Sequence, residues 1–310
     1  MNKPAPKIYR TTNWSSYNQA LINRGNISIW FDPATQWYAQ STGKPGRNQT
    51  YSDSAIQCCL MMKSLFRLSL RMVTGFVQSL IKLCGLNWTA PDYSTLCRRQ
   101  KHIDISIRYQ KSSDGLHLLI DSTGLKFLGE GEWKRKKHQP EYRRQWRKLH
   151  IGIDAETLQI RAVQLTTNNV SDSQVLGDLL DQIPEDEQID SVYTDGAYDT
   201  KHCRQVISDR HAHAVIPPRK NAKPWKDTKP HSLERNELLQ TVKHLGRTLW
   251  KKWSSYHRRS LVETKMHCIK LLGEKLSARH FQSQVNEIHA RVAVLNKFTE
   301  LGRPHTRVVT

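Results

Sequence analysis

YHRRSLVETKMHCIK, residues 256–270, combines four functional side chains at helical spacing. Tyr256, Arg259, Glu263 and Lys270 follow one another after three, four and seven residues. In one continuous α-helix these side chains fall within roughly 60° of a single face. Arginine binds phosphate oxygens through a fork of N–H groups and lysine supplies a point charge, so the face joins a carboxylate to groups that suit phosphate. The stretch therefore predicts a helix with a role in phosphodiester chemistry.

Glu263 needs acidic partners, because one carboxylate cannot hold the divalent metal ions of phosphodiester chemistry. Two aspartates upstream stand at the ends of apolar segments that are typical of β-strands: Asp121 ends LHLLID and Asp195 ends IDSVYTD. Hard carboxylate oxygens of this kind suit Mg²⁺ or Mn²⁺. Asp121, Asp195 and Glu263 are therefore the candidate catalytic and metal-binding residues.

The combination resembles the DDE transposases of bacterial insertion sequences, in the branch whose Tyr-Arg-Glu-Lys signature has two, three and six intervening residues. Residues 256–270 match that signature in full, while DSTG at Asp121 and TDGAYD around Asp195 resemble the two aspartate motifs of the family. The resemblance covers residues 117–274 and, more loosely, the remainder. It implies an RNase H-like core in which the two aspartates lie on neighbouring strands and the Glu263 helix packs across the sheet.

The resemblance also implies a function. The expected enzyme cuts DNA at the terminal inverted repeats of its element and transfers the 3′ ends to target DNA, with Mg²⁺ as cofactor and Mn²⁺ as substitute. Related enzymes work as homodimers or larger assemblies on paired ends. In this chain the implied DNA contacts are Tyr256 and Arg259 to phosphates of the transposon end and Lys270 near the scissile bond.

The charge of the whole chain favours a polyanionic partner. The formal net charge is +20 over 310 residues, and nucleic acid is the commonest partner of such a surplus. The alternatives are a soluble basic protein without such a partner and a protein that binds a membrane surface. No apolar run reaches the roughly 18 residues of a membrane span, and the first residues lack the apolar centre of a signal peptide. We therefore expect no membrane partner and a bacterial, nucleoid-associated protein in the cytoplasm.

Residues 1–112 form a predicted helical, basic region with fifteen Lys and Arg against four Asp. Helical patterns cover residues 14–23, 53–66 and 69–83, and a short helix follows Pro91, whereas residues 28–31 suggest a short strand or an apolar anchor. A basic last helix with Arg98 and Arg99 exposed favours a helix-turn-helix module that binds the DNA end. The alternative is a plain helical cap on the catalytic domain.

Residues 113–310 have the pattern of a mixed α/β domain. Strands are predicted at 116–121, 146–154, 159–167, 189–194 and 213–216, with helices at 172–182, 201–208 and the Glu263 segment. This order gives the fold class: an RNase H-like, mixed-sheet catalytic domain behind a mainly helical N-terminal DNA-binding region.

Two segments depart from that core. WKRKKHQPEYRRQWRK, residues 133–148, mixes cations with aromatics and suits a DNA-binding surface, although a solvated loop is the alternative. A short, proline-rich insertion at about 217–250 corresponds to the segment that holds the DNA end in related transposases, sometimes with a tryptophan that receives a flipped base. Trp225, Trp250 and Trp253 are the candidates for that role. The predicted DNA contacts of the first segment are Lys134, Arg135, Arg143, Arg144, Arg147 and Lys148.

Several alternatives remain at this point. Asp199 follows Asp195 closely and is a rival ligand, whereas Asp154 is better explained as a turn residue and Asp172 as a helix cap. A zinc site from Cys203, His211 and His213 is a further alternative. For the whole protein, the alternatives are another RNase H-like nuclease, of the resolvase or repair type, and a non-catalytic DNA-binding protein.

Overall fold

The computed structural model describes residues 8–41, 43, 48–112, 114–127 and 146–309. The chain divides into two compact units, one made of Met1–Arg108 with Ala293–Thr310 and the other of Tyr109–Val292. The predicted catalytic domain, residues 113–310, thus differs from the second unit at its C-terminal end. No helix in the described part of the chain is both long and apolar enough to cross a membrane.

The first unit is mainly helical. Its one described sheet is an antiparallel pair of strands, β1 (Ile8–Thr11) and β8 (Thr306–Val309). Its helices are α1 (Trp14–Arg24), α2 (Ile27–Trp30), α3 (Asp53–Phe66), α4 (Leu70–Leu83) and α5 (Tyr93–His102), and it also holds the end of α11 (Phe281–Leu301).

The alternative of a strand at residues 28–31 is wrong, because residues 28–30 belong to a short helix that begins at Ile27. The side chain of Asn26 accepts a hydrogen bond from the backbone N–H of Ser28 at 3.1 Å and caps α2. The indole of Trp30 donates to the carbonyl of Arg24 at 2.8 Å and is 8% exposed. The other expectation, an apolar anchor, describes Trp30 well.

The helices α3, α4 and α5 lie where the sequence predicts them. Ser52, Ser69 and Asp92 cap them by accepting hydrogen bonds from backbone N–H groups of the first turn. The short connection of residues 67–69 joins α3 to α4, whereas residues 84–92 separate α4 from α5. A helix-turn-helix uses a turn of about three to four residues, which fits the first connection better than the second. DNA binding by α5 stays a prediction.

The second unit is built on a mixed sheet with the strands β2 (Leu116–Phe127), β3 (Arg147–Asp154), β4 (Ile160–Thr167), β5 (Ile189–Tyr193) and β6 (His213–Val215). Their order in the sheet is β4-β3-β2-β5-β6. β2 pairs antiparallel with β3, and β3 with β4, while β2, β5 and β6 run parallel to one another. This confirms the predicted RNase H-like core, in which the first and fourth strands are neighbours. A further short strand, β7 (Lys275–Leu276), pairs with β2.

Helices cover both faces of this sheet. Leu116, Leu118 and Ile120 of β2 join the apolar core formed with α6 (Asp172–Leu180) and α7 (Lys201–Asp209). Each such side chain stabilises the fold by about 1.5–3 kcal/mol on full burial. Because side chains alternate along a strand, the odd-numbered residues of β2 face the other way. On that side α10 (Ser260–Leu272) packs on β2 and β3.

The segment before α10 differs from the predicted continuous helix. Ser255 has a left-handed backbone with φ of 53°, and Tyr256–Arg259 form a 3₁₀ turn before the α-helix begins at Ser260. Residues three apart eclipse one another in a 3₁₀ turn, so Tyr256 and Arg259 still share one side. The insertion contains α8 (Pro230–Leu245) and most of α9 (Arg247–Trp253), while residues 217–229 are irregular.

Candidate active site

Asp121 and Asp195 lie on neighbouring strands, near the middle of β2 and just beyond the end of β5. Leu119 pairs with Tyr193 across the parallel ladder, so each aspartate is two residues beyond a paired position. Adjacent strands are about 4.8 Å apart, which brings the two carboxylates close together. Burial raises the pKa of Asp121 above its ordinary value, and the charge of Asp195 acts in the same direction. Both aspartates therefore face one small, acidic surface.

Arg259 connects this surface to Glu263. Its Nη1 donates to Oδ2 of Asp121, and its Nη2 donates to Oε1 of Glu263 at 2.7 Å. Burial lowers the pKa of Arg259, but the charges of Asp121, Tyr256 and Glu263 and the hydrogen bond to Asp121 together more than offset burial, so the pKa lies above its ordinary value. The guanidinium is therefore the positive charge that holds two of the three predicted metal ligands.

Lys270 contacts β2 on the same side. Its Nζ donates to Oγ1 of Thr123 at 2.7 Å. Thr123 is two residues after Asp121, so both side chains lie on the face of β2 that α10 covers. Thr123 belongs to the DSTG motif but was not predicted as a site residue, although the alternation of side chains along a strand places it on the same face as Asp121.

Tyr256 is the most enclosed member of the signature, with 9% of its surface exposed. Its ring lies 5.6 Å from the ring of Trp250, and the guanidinium of Arg259 lies 6.0 Å from its centre. Burial raises the pKa of the Tyr256 hydroxyl, so it is a neutral hydrogen-bonding group. Its packing fixes the 3₁₀ turn that carries Arg259.

The donor set fits a divalent cation in its chemistry. Asp121, Asp195 and Glu263 are hard oxygen ligands, and Asp121 already carries the electrostatic cost of a neighbouring carboxylate. In the described residues no three His, Cys, Asp or Glu side chains yet converge to enclose a metal ion. Arg259 lies between two of the carboxylates instead.

Asp172 supports the opposite side of β2. It forms an ion pair with Lys148 at 2.9 Å and lies 3.6 Å from the buried ring of His150. Burial raises the pKa of Asp172, but hydrogen bonds from Lys148 and Ser122 more than offset it, so the pKa is lower than usual. Burial lowers the pKa of His150 to about 4. The cap of α6 is Ser171, and Asp172 is the first residue of the helix. Through Ser122 and Lys148, Asp172 also links α6 to β2 and β3.

Asp199, the rival ligand, is enclosed by arginines. Its Oδ1 accepts from Nε of Arg204 and its Oδ2 from Nη2 of Arg235, both at 3.1 Å. The guanidinium of Arg235 also lies 4.5 Å from the centre of the Trp225 ring. This geometry gives Asp199 a structural role between the core and the insertion. Arg235 was missed by sequence reasoning, because a charge on a helix gives no local signal of burial.

Asp154 has the turn geometry that the sequence predicts. Its oxygens accept from the Glu156 backbone N–H at 2.8 Å and the Thr157 hydroxyl at 2.7 Å. Two residues of the alternative zinc site have other partners, since Cys203 donates to the carbonyl of Ser173 at 3.3 Å and His213 pairs with Glu234 at 2.7 Å.

The predicted DNA-contact residues differ in their partners and in their exposure. Arg147 lies against the rings of Phe127 and Phe281 and donates to Gln284 at 2.9 Å, and Lys148 is paired with Asp172. Arg99 pairs with Asp53 and donates to the carbonyl of Tyr51 at 2.8 Å, whereas Arg98 is exposed on α5. Their contact with DNA stays a prediction. Four others lie outside the described residues: Lys134, Arg135, Arg143 and Arg144.

The three candidate tryptophans differ in exposure. Trp250 is 6% exposed and packs on Tyr256, while Trp253 is 78% exposed. The cations of Lys201 and Arg235 lie 6.0 Å and 4.5 Å from the centre of the Trp225 ring. Trp253 is therefore the member of this group with a ring open to a stacking partner.

Family models agree with this site. Two models, each described as a transposase DDE domain, match residues 22–130 and residues 112–297, and the second match contains Asp121, Asp195 and Glu263. One similar solved structure is the Mos1 transposase paired-end complex with the left transposon end, with 11% identity, a TM-score of 0.25 and coverage of 81% of this chain and 78% of that chain. A second is the Mos1 mariner paired-end complex with Mn, with 10% identity, a TM-score of 0.25 and coverage of 83% of this chain and 82% of that chain. A third is a pre-cleavage Mos1 transpososome, with 9% identity, a TM-score of 0.24 and coverage of 86% of this chain and 82% of that chain.

Proposed function

This chain belongs to the family of transposase DDE domains, and from that premise we propose that it is the transposase of a bacterial insertion sequence. It cuts DNA at the terminal inverted repeats of its element and transfers the 3′ ends to target DNA. The observation that carries the proposal is the pairing of β2 with β5, which sets Asp121 beside Asp195, with Glu263 tied to Asp121 through Arg259. The complete Tyr-Arg-Glu-Lys signature supports membership of that branch.

Asp121, Asp195 and Glu263 would hold the divalent metal ions that this family uses, and we propose Mg²⁺ with Mn²⁺ as substitute. Bound there, the ions would lower the pKa of the attacking water or 3′-hydroxyl and stabilise the departing 3′ oxygen. The chain itself supplies the three carboxylates and, around Asp121, a partly buried setting in which the attraction between a carboxylate and a cation is stronger than in water. The raised pKa of Asp121 is evidence of that setting.

Arg259, Tyr256 and Lys270 position the DNA. The guanidinium of Arg259 has the geometry to fork onto a phosphate, and Tyr256 offers a neutral hydroxyl beside it. Thr123 orients Lys270 toward β2, on the face that carries Asp121. These three groups would hold the strand so that the scissile phosphate meets the carboxylates.

Both ends of an element must be cut and joined together, so we extend the proposal to a homodimer or larger assembly on paired double-stranded ends. The net charge of +20 supports a DNA partner and a place on the bacterial nucleoid in the cytoplasm. The exposed Arg98 supports a contact of the first unit with the DNA end.

Cleavage of labelled duplexes tests the function. In Mg²⁺, we expect the wild-type protein to cut a duplex carrying the terminal repeat of its element at least about tenfold faster than a scrambled duplex. Glu263→Gln removes a ligand charge and should slow cleavage by about 10²-fold or more while the protein still binds the duplex.

Glu274→Gln is the matched control, because Glu274 is an exposed glutamate just beyond α10, and it should cut at the wild-type rate. Equal cutting of repeat and scrambled duplexes by the wild type would favour a general RNase H-like nuclease. Absence of any cutting in Mg²⁺ or Mn²⁺ would favour a non-catalytic DNA-binding protein.

Trp253→Ala should weaken binding of the terminal-repeat duplex roughly tenfold, because an aromatic ring stacked on a base contributes about 1–3 kcal/mol. The side chain is 78% exposed, so the melting temperature should not change. Fluorescence anisotropy of a labelled duplex measures the affinity. Trp14→Ala, at another exposed tryptophan, is the control and should bind like the wild type. Equal affinities of the two variants would remove Trp253 from the DNA-binding surface.

A further inference from the structure

Arg259 lies between two carboxylates that the proposed function assigns to metal. One guanidinium nitrogen, Nη1, donates to Asp121, and the other, Nη2, donates to Glu263 at 2.7 Å. The fork of an arginine matches two acceptors at once, so this cation holds both side chains in a defined arrangement. The side chain of Arg259 is 18% exposed, whereas that of Glu263 is 57% exposed. The bridge therefore fixes a glutamate that would otherwise move freely in solvent.

Lys270, the other cation of the signature, has a different partner from the two carboxylates that Arg259 contacts. Lys270 donates to Thr123 at 2.7 Å, and its described bond is to a hydroxyl rather than to a carboxylate. Asp195 uses its side chain to accept from the backbone N–H of Ala197 at 2.8 Å, which caps the turn after β5. Arg259 is thus placed to neutralise Asp121 and Glu263 in the protein without metal.

We infer that Arg259 is an exchangeable counter-ion: it holds Asp121 and Glu263 together before metal and DNA arrive, and it leaves them for a DNA phosphate when metal binds. This inference rests on the proposed function. A guanidinium and a divalent cation cannot both occupy the space between two carboxylates, because like charges repel at such distances. A DNA phosphate offers the same forked geometry to Arg259 that the carboxylates offer now.

The exchange couples metal binding to DNA binding. Metal must displace Arg259 from the carboxylates when no DNA is present, which weakens metal binding. A phosphate that accepts Arg259 removes this competition, and by thermodynamic linkage the metal strengthens phosphate binding by the same factor. The metal site is therefore disfavoured until a DNA strand is in place, which protects other phosphodiesters from cleavage.

The first test measures Mn²⁺ binding to metal-free protein by isothermal titration calorimetry, with no DNA and no cleavage. Arg259→Gln removes the competing cation, so we expect Mn²⁺ to bind about tenfold tighter than to wild type, within the usual range of coupling between sites. Arg258→Gln is the matched control, because it removes the same charge from the adjacent, exposed residue and should leave the affinity within about twofold. Asp195→Asn combined with Arg259→Gln identifies the site, since the tight Mn²⁺ binding of Arg259→Gln should be lost in the double variant.

The second test adds a duplex of about 30 base pairs that carries the terminal repeat, which exceeds the footprint of a typical module. Wild-type protein should gain at least about fivefold in Mn²⁺ affinity when the duplex is present, and Arg259→Gln should gain less than twofold. Arg259→Lys keeps the charge but loses the fork, so its affinity without DNA should lie between those of the wild type and Arg259→Gln.

Two results would overturn the inference. Either Arg259→Gln and Arg259→Lys bind Mn²⁺ no tighter than wild type, or the duplex raises the affinity equally in all three proteins. Both leave the proposed function intact as long as wild type cleaves the terminal repeat. Failure of wild type to cleave would instead count against the function, whatever the Mn²⁺ affinities are.

Discussion

Asp195→Asn is expected to slow DNA cleavage by about 10³-fold, because a metal ligand and its charge are lost together, and metal contributes several kcal/mol to transition-state stabilisation. The fold should survive. The Asp195 side chain accepts from the Ala197 backbone N–H at 2.8 Å, and the amide oxygen of asparagine caps such a turn equally well. Single-turnover cleavage of the terminal repeat in saturating Mg²⁺ measures the rate, and anisotropy measures DNA binding, which should change less than about threefold.

Asp190→Asn is the control, since Asp190 lies on the same strand at its other end and accepts from Gln188 at 2.9 Å. It should cleave at the wild-type rate. If Asp195→Asn kept more than about a tenth of the wild-type rate, Asp195 would not be a ligand, and the choice of site residues would have to change.

Asp199→Ala is expected to lower the free energy of unfolding by about 3–5 kcal/mol, the cost of removing one partner from a buried ion pair. The side chains of Asp199 and Arg204 are each 1% exposed, and that of Arg235 is 3% exposed. Without Asp199, two guanidinium groups would remain buried, and the acceptors left to them among the described residues are the carbonyls of Ile216 for Arg204 and of Lys223 for Arg235.

Urea unfolding at 25 °C, followed by circular dichroism, measures this loss. Asp186→Asn removes an exposed ion pair with Lys111 and should leave the unfolding midpoint unchanged. A midpoint for Asp199→Ala close to that of the wild type would show that the two arginines find other partners. The insertion would then not depend on Asp199 for its attachment to the core.

Much of the fold follows from local pattern. Apolar runs that end in Asp121 and Asp195 mark two buried strands, and the structure pairs those strands in parallel. Ser52 and Ser69 cap helices at the expected positions because cap chemistry is local. β2 extends to Phe127, beyond the predicted end at Asp121. The extension was not predicted because it contains few apolar residues, and it is stabilised instead by ladder hydrogen bonds to β3.

Tertiary contacts explain what the sequence did not reveal. Ser255 is left-handed, with φ of 53°, although serine carries no strong signal for that conformation, so the 3₁₀ turn could not be foreseen. Arg259 was predicted to contact phosphate, and in the protein alone it contacts Asp121 and Glu263, the strongest anionic partners nearby. Arg235 looks like any surface charge until Asp199 and Trp225 are brought to it.

The three carboxylates differ in how firmly the backbone holds them. Asp121 lies inside β2, opposite Ile151, with ladder pairs on either side of it. Asp195 lies two residues beyond the last residue of β5 and caps a short turn, and Glu263 lies in the first turn of α10 with an exposed side chain. The backbone thus holds the carboxylate of Asp121 rigidly, whereas those of Asp195 and Glu263 can change position. Induced fit to a DNA end would therefore move the turn after β5 and the start of α10 toward β2, while the central strand serves as the fixed reference.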